Sequence, residues 1–189
     1  MKRPRRAVAA GVAVLAIAVL GAASLVPLPW RAASRVVSTV DIASDPDTVF
    51  RFVSTPAFWP RWHPSSLAVT GDVDHPLQVG EQADERFRVA GREGVARWVV
   101  TERETGRSWT IDGRIGGRAA GRVRYRLQPL PGGTRFEREF DYYPPNLLAL
   151  VVDRWHMHAR IDEESRQALA RLRSELERRS PAGGPARNP

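Results

Sequence analysis

Asp45-Pro46-Asp47-Thr48-Val49-Phe50 opens the stretch DPDTVFRFVSTPAFWPRWHP, residues 45–64, whose reading decides the fold. Asp45 is a strong N-cap, and Pro46 suits the first helical position, where its missing N–H removes no bond. Val49, Phe50 and Val53 recur at helical spacing, which predicts a short helix with one face toward a core. Thr55-Pro56 breaks it. A second short helix is expected around Ala57 to Trp62, carrying Phe58, Trp59 and Trp62 until Pro64 stops it.

The flanks supply the rest of a domain. Upstream, Ser34 to Ile42 (SRVVSTVDI) is rich in β-branched residues and predicts a first strand. From Ser66 to about Tyr143 the pattern alternates, in segments near 66–71, 80–90, 94–104, 106–113, 118–128 and 133–143 bounded by Gly, Pro or Asp. Their short spacing implies an antiparallel meander. Between Arg122 and Leu127 the alternation is explicit: Arg122, Arg124 and Arg126 face one way, Val123, Tyr125 and Leu127 the other. Gly113 to Gly117 lacks the Gly-Lys-Ser/Thr ending of a phosphate loop and reads as a hairpin. Pro144-Pro145 ends the sheet, and the chain from there to about Arg179 is helical. Its residues Ile161, Ala168, Leu169, Leu172 and Leu176 form one apolar stripe that needs a surface to cover. Residues 180–189 (SPAGGPARNP) read as a disordered tail.

A strand, the Asp45–Phe50 helix opening, the Phe58-Trp59-Pro60-Arg61-Trp62-His63-Pro64 stretch, a sheet and one long C-terminal helix together resemble the START-like, or SRPBCC, superfamily. The nearest match is its polyketide cyclase/dehydrase and coenzyme-Q-binding-like branch, whose members typically show an acidic-Pro-x-x-Val-[Phe/Trp] helix and a Trp-x-x-Trp-x-Pro stretch. The resemblance runs from about Val36 to Leu176. It implies an α+β helix-grip fold over residues 34–179, a curved antiparallel sheet wrapped around the C-terminal helix and a deep cavity. Members bind lipids, polyketides or other hydrophobic molecules there, and some catalyse reactions on them. Binding of such a molecule is the first expectation; a cyclase or aromatase using general acid–base residues is the alternative.

The N-terminus adds a second theme. Lys2, Arg3, Arg5 and Arg6 form a basic patch (residues 1–6), and Ala7 to Val26 is an uncharged run of 20 residues. As a helix that run rises ~30 Å, about the thickness of a bilayer's hydrocarbon core. Residues 7–29 are therefore read as a transmembrane anchor preceding the domain, with the N-terminus cytoplasmic and the domain extracytoplasmic. Gly21-Ala22-Ala23 offers small residues for a signal-peptidase cut near Ala23. The run, however, exceeds the usual ~7–15-residue h-region and continues through Leu25, Val26 and Leu28 to Trp30. The anchor is the preferred reading. No cysteine follows the run, which excludes a lipoprotein anchor.

Composition narrows the partners. The ~155 residues after the anchor are enough for one domain with a real core. With no cysteine in the chain, disulfides, thiolate metal sites and cysteine nucleophiles are excluded. The formal charge is +8 and Lys2 is the only lysine, an Arg bias that fits base composition better than a nucleic-acid partner. No cofactor is expected, and no motif sets an oligomeric state.

Candidate site residues follow from strand parity. If Phe87 and Val89 face inward, so does Glu85; Trp98 and Val100 similarly bring Glu102, and Phe136 with Phe140 brings Arg138. Glu85, Glu102 and Arg138, with Tyr125, are the expected polar groups of a cavity walled by Phe87, Trp98, Trp109, Phe136 and Phe140. The competing reading is that bulges shift the register and put the charges in water. His63, between Trp62 and Pro64, reads as a partly buried, hydrogen-bonded histidine. His156 and His158 point apart on a helix. His158 and Asp162 read as an exposed i,i+4 pair, not as metal ligands.

Overall fold

The computed structural model describes residues 3–26, 34–89, 91–144, 146–153 and 157–179. In chain order these form α1 (Arg3–Leu25), β1 (Ser34–Ile42), α2 (Pro46–Ser54), a 3-10 turn (Pro56–Phe58), α3 (Trp59–Trp62) and β2 (Ser66–Gly71). Next come β3 (Gln82–Val89), β4 (Arg92–Glu104), β5 (Ser108–Ile115), β6 (Arg118–Leu130), β7 (Gly133–Tyr142), α4 (Leu147–Val152) and α5 (His158–Arg179). Trp30, Pro145, His156 and the tail 180–189 lie outside the described residues.

The seven strands make one antiparallel sheet in the order β1-β7-β6-β5-β4-β3-β2. The first and second strands in sequence are thus its two edges, and residues 45–64 carry the chain between them. Asp45 caps α2 as expected, its Oδ1 accepting the Thr48 N–H at 2.9 Å. Val49, Phe50 and Val53 are buried, together with Trp59 and Trp62 of the following helix. The Trp59 indole donates to the Val53 carbonyl (3.0 Å), tying α3 to α2.

Helix α5 lays its predicted stripe on the concave side. Ile161, Ala168, Leu169, Leu172 and Leu176 are all buried, and Ser165 lies among them. Its C-terminal end reaches α2 and the 3-10 turn, where the Arg179 guanidinium lies over Phe52 (4.9 Å) and Phe58 (5.7 Å). Its N-terminal end meets the far end of the sheet, where His158 Nδ1 lies 3.3 Å from Tyr142 Oη. The architecture is the α+β helix-grip arrangement expected from the sequence.

The convex side takes the polar alternation. Cross-strand arginine–carboxylate forks join Arg35 to Asp141, Arg135 to Asp41, Arg122 to Asp112 and Arg97 to Asp84. Glu139, nearly buried, draws in Arg124 (3.0 Å) and Arg126 (3.3 Å) from β6 and Arg35 (3.5 Å) from β1. Six arginines are thus committed to fixing strand register.

The N-terminal run is helical as α1, and the Leu147 N–H at the start of α4 donates to the Val26 carbonyl (3.2 Å). Val12, Val14, Leu15, Ile17, Val19 and Leu20 are each more than half exposed. Among the described residues no helix is long and apolar enough to cross a membrane. The helix expected over the uncharged run is present as α1.

Leu172, fully buried at the centre of the stripe, tests this packing. Leu172→Ala is expected to cost about 2–5 kcal/mol of unfolding free energy. Arg166→Ala, which removes exposed ion pairs on the same helix, is expected to cost under about 1 kcal/mol. Urea denaturation followed by circular dichroism separates the two.

Candidate ligand cavity

The concave face is closed unevenly. Near α2 and α3, Leu169, Leu172 and Leu176 belong to one buried cluster with Phe50, Val53, Trp62 and Phe136. Toward the opposite end a cavity of about 230 Å³ remains, walled by residues of β3 to β7, α3 and Ile161 of α5. Val89, Ile115, Ala120 and Tyr142 line it at the strand ends. These ends are those that register with Ser34 at the start of β1 (Ser34 with Tyr142, Tyr142 with Gly121). Ile115 is 43% exposed, so the cavity meets the surface at the β5–β6 hairpin. Its mouth lies on the side where α1 joins the domain.

The wall is shaped by aromatic rings laid over glycines. Trp98 pairs across the ladder with Gly113, and a Cβ there would sit 2.5 Å from the indole. Phe87 covers Gly94 in the same way, at 2.7 Å. Each glycine lets its ring lie flat on the sheet and leaves room above it. Below, Tyr125 stacks on Trp109 (centroids 5.4 Å) and meets Phe136 (5.1 Å) and Trp62 (6.1 Å), which makes a solid floor.

Two charged residues line this apolar space. Glu85 accepts a hydrogen bond from Trp98 Nε1 (2.8 Å), and burial pushes its pKa up. Arg138 donates from Nη1 to Ser165 Oγ (2.9 Å) and lies over the Phe140 ring at 5.0 Å; burial lowers its pKa. Among the described residues no carboxylate comes within 4.0 Å of Arg138. Burial also raises the Tyr125 phenol to about 12 and holds the partly buried His63 well below its usual range. Among the described residues three buried nitrogens of the lining have no partner: Trp62 Nε1, His63 Nδ1 and Arg138 Nε.

Strand parity thus brings together Glu85, Phe87, Trp98, Tyr125, Arg138 and Phe140 on the cavity wall. Trp109 and Phe136 sit in the floor instead, both at 0% exposure. Glu102 is corrected. Register slips between Val100 and Glu102, which skips Thr101 and turns Glu102 out to solvent, where it accepts from Thr110 Oγ1 (3.1 Å). His63 is partly buried as expected, but among the described residues its Nδ1 has no hydrogen-bond partner. His158 approaches Tyr142 while Asp162 pairs with Arg166, in place of the expected His158–Asp162 pair. The sequence reading missed Ser165, whose signal is a lone hydroxyl in the middle of an apolar stripe. Trp59 and Trp62, which strand parity could not place at the site, also line the cavity.

This arrangement can hold an apolar body of modest size with a polar end near Glu85 and Arg138. Among the described residues no cluster of His, Cys, Asp and Glu has the makings of a metal site.

His63 gives the site a pH signature. A histidine held neutral in the fold but free to protonate once unfolded contributes stability above its unfolded pKa near 6.5, lost as pH falls below it. Glu85 acts oppositely, costing stability above its unfolded pKa near 4.5 and recovering it as pH falls through its raised folded value. The stability difference between wild type and His63→Gln is therefore expected to shift in favour of the variant as pH falls from 7.5 to 5. Urea melts across that range measure it.

Known proteins share this plan. The profile of the family described as polyketide cyclase / dehydrase and lipid transport matches residues 33–177. An uncharacterized protein of Mycobacterium tuberculosis is 31% identical over 100 residues, 52% of this chain and 59% of that one. The chain thus spans about three fifths of the length of the curated relatives it matches. Among solved structures, the Zhui aromatase/cyclase of Streptomyces sp. R1128 superposes with a TM-score of 0.65 at 17% identity, covering 80% of this chain and 98% of that one. Protein CV1439 of Chromobacterium violaceum gives 0.59 at 16% identity, covering 76% and 97%. At such identities the structural likeness is one of fold alone. The profile covers the whole grip domain, and the chain belongs to the polyketide cyclase/dehydrase and lipid transport family of the SRPBCC superfamily.

Proposed function

We propose that this protein binds a hydrophobic small molecule, of lipid, isoprenoid or polyketide-like character, in the cavity between α5 and the sheet. The observation that carries the reading is the cavity itself. It is walled almost wholly by apolar and aromatic side chains, and it opens beside an exposed hairpin. At about 230 Å³ it is below the ~300–1,000 Å³ of drug-sized sites, which favours a small molecule or one end of a longer one.

The second part of the proposal is a membrane tether on the extracytoplasmic side. It rests on the basic residues before an uncharged run of 20 and on the exposure of apolar side chains along α1. The exposed apolar residues of α4 (Leu147, Val151, Val152) add to it, since they lie beside α1 on the mouth side. A hydrophobic pocket on a short tether sits where hydrophobic molecules are.

A catalytic reading, cyclisation by general acid–base chemistry, draws on one observation. Glu85 is a partly buried carboxyl with a raised pKa in an apolar cleft, the setting in which carboxyls serve as acids. Turnover of an aromatic polyketide precursor that disappears in Glu85→Gln would favour it over binding alone.

Full-length protein is expected to co-purify with, or take up, a hydrophobic molecule at about one per chain, read by native mass spectrometry followed by solvent extraction. Gly113→Leu is expected to drive the Trp98 ring into the cavity and abolish uptake while the fold remains intact. A wild-type cavity that stays empty whatever is offered overturns the binding reading. N-terminal sequencing of protein from intact cells tests the tether: a chain beginning at Ser24 has lost it.

A further inference from the structure

We propose that the cavity selects a molecule with a carboxylate head, which the Arg138 guanidinium receives at the inner end while the apolar body points toward Ile115. The proposal rests on the binding reading above and specifies its ligand.

Arg138 is only 5% exposed, and a buried cation is costly unless paired. Yet its partners are neutral hydroxyls, Ser165 Oγ at 2.9 Å and the neighbouring Tyr125 phenol. The guanidinium carries five N–H donors in a planar fork, and among the described residues Nε has no acceptor. Glu85, the cavity's other charged residue, is held by Trp98 Nε1 and does not bridge to Arg138. A further unmatched donor among the described residues is the Trp62 indole N–H. This polar end is thus short of acceptors. A carboxylate is an acceptor-only group whose two oxygens match the guanidinium fork. A phosphate dianion would bring a second charge to a single arginine beside a glutamate, which disfavours it. An alcohol accepts only one such bond, and a hydrocarbon none.

Size limits the body. At about 30 Å³ per water-sized atom, 230 Å³ holds roughly eight non-hydrogen atoms. A medium-chain or single-ring acid fits, and a longer chain would emerge past Ile115.

The test uses the full chain in phosphatidylcholine nanodiscs, with empty nanodiscs as reference, titrated with octanoate, 1-octanol and octyl phosphate. Binding is read by calorimetry and by the tryptophan fluorescence of Trp59, Trp62 and Trp98. Octanoate is expected to bind at least about tenfold more tightly than 1-octanol, the ratio that one charge-assisted pair supports. Arg138→Met is expected to abolish that ratio while 1-octanol still binds, and Arg138→Lys to restore part of it. The wild-type ratio needs no variant, so a misfolded Arg138→Met does not spare the proposal. Equal binding of octanoate and 1-octanol overturns the carboxylate head alone and leaves the binding reading standing. Tighter binding of octyl phosphate also overturns it. Failure of every probe to bind up to millimolar concentration removes both.

Discussion

Everything in this fold depends on one helix face meeting one curved sheet face. A concave antiparallel sheet exposes its apolar side until something fills it, and α5 is the element that does so. The stripe is graded along its length. Leu169, Leu172 and Leu176 close it tightly against the aromatic cluster of α2 and α3, whereas Ser165 and Ile161 leave space toward the other end. Protein interiors are packed to crystal-like density, and a core built for stability alone would not keep 230 Å³ open. Nor would it bury an arginine without a carboxylate beside it. Two destabilising features in one place, on an otherwise consistent fold, mark that place as functional.

How much of this the sequence carried depended on how local each signal was. Residues 45–64 foretold the helix, its cap and the aromatic segment because capping and helical spacing are read within a few residues. Strands emerged from alternation, nearly to their ends, and the α5 stripe from its period. Cavity residues were legible only as far as parity holds. Glu85, Phe87 and Arg138 lie on unbroken stretches of ladder, and parity put them on the right face. Glu102 lies just past a slip that exists only because β4 is paired with β5, a relation no single strand reveals. The division of aromatics between wall and floor was likewise hidden. Trp98 and Trp109 look alike in sequence, and only the glycine across the ladder from Trp98 keeps its ring against open space.

Charge separates in the same alternating way. Outward-facing arginines of β6 and β7 meet carboxylates across the ladder, where water screens them and each pair contributes little beyond register. Arg138 belongs to the same strand as Arg135 and differs from it by facing in. A single step of parity converts an exposed cross-strand pair into a desolvated cation whose nearest described partner is a hydroxyl. The +8 of the chain is therefore a poor guide to its chemistry, and one arginine out of many is the informative one.

Glu85 and Arg138 both line the cavity, yet they do not form an ion pair within 4.0 Å. The reason lies in the wall. Glu85 is engaged by the Trp98 indole, and that indole can reach it only because residue 113 has no side chain to lift the ring from the sheet. A β-carbon at 113 would displace the ring, release the carboxylate and let it seek the nearest cation. The polar character of the cavity is thus set two strands away from the acid, by an atom that is absent. A glycine opposite a tryptophan usually reads as a detail of sheet packing. Here it keeps a carboxylate and a guanidinium apart inside an apolar space, which is the condition for either of them to act on anything else.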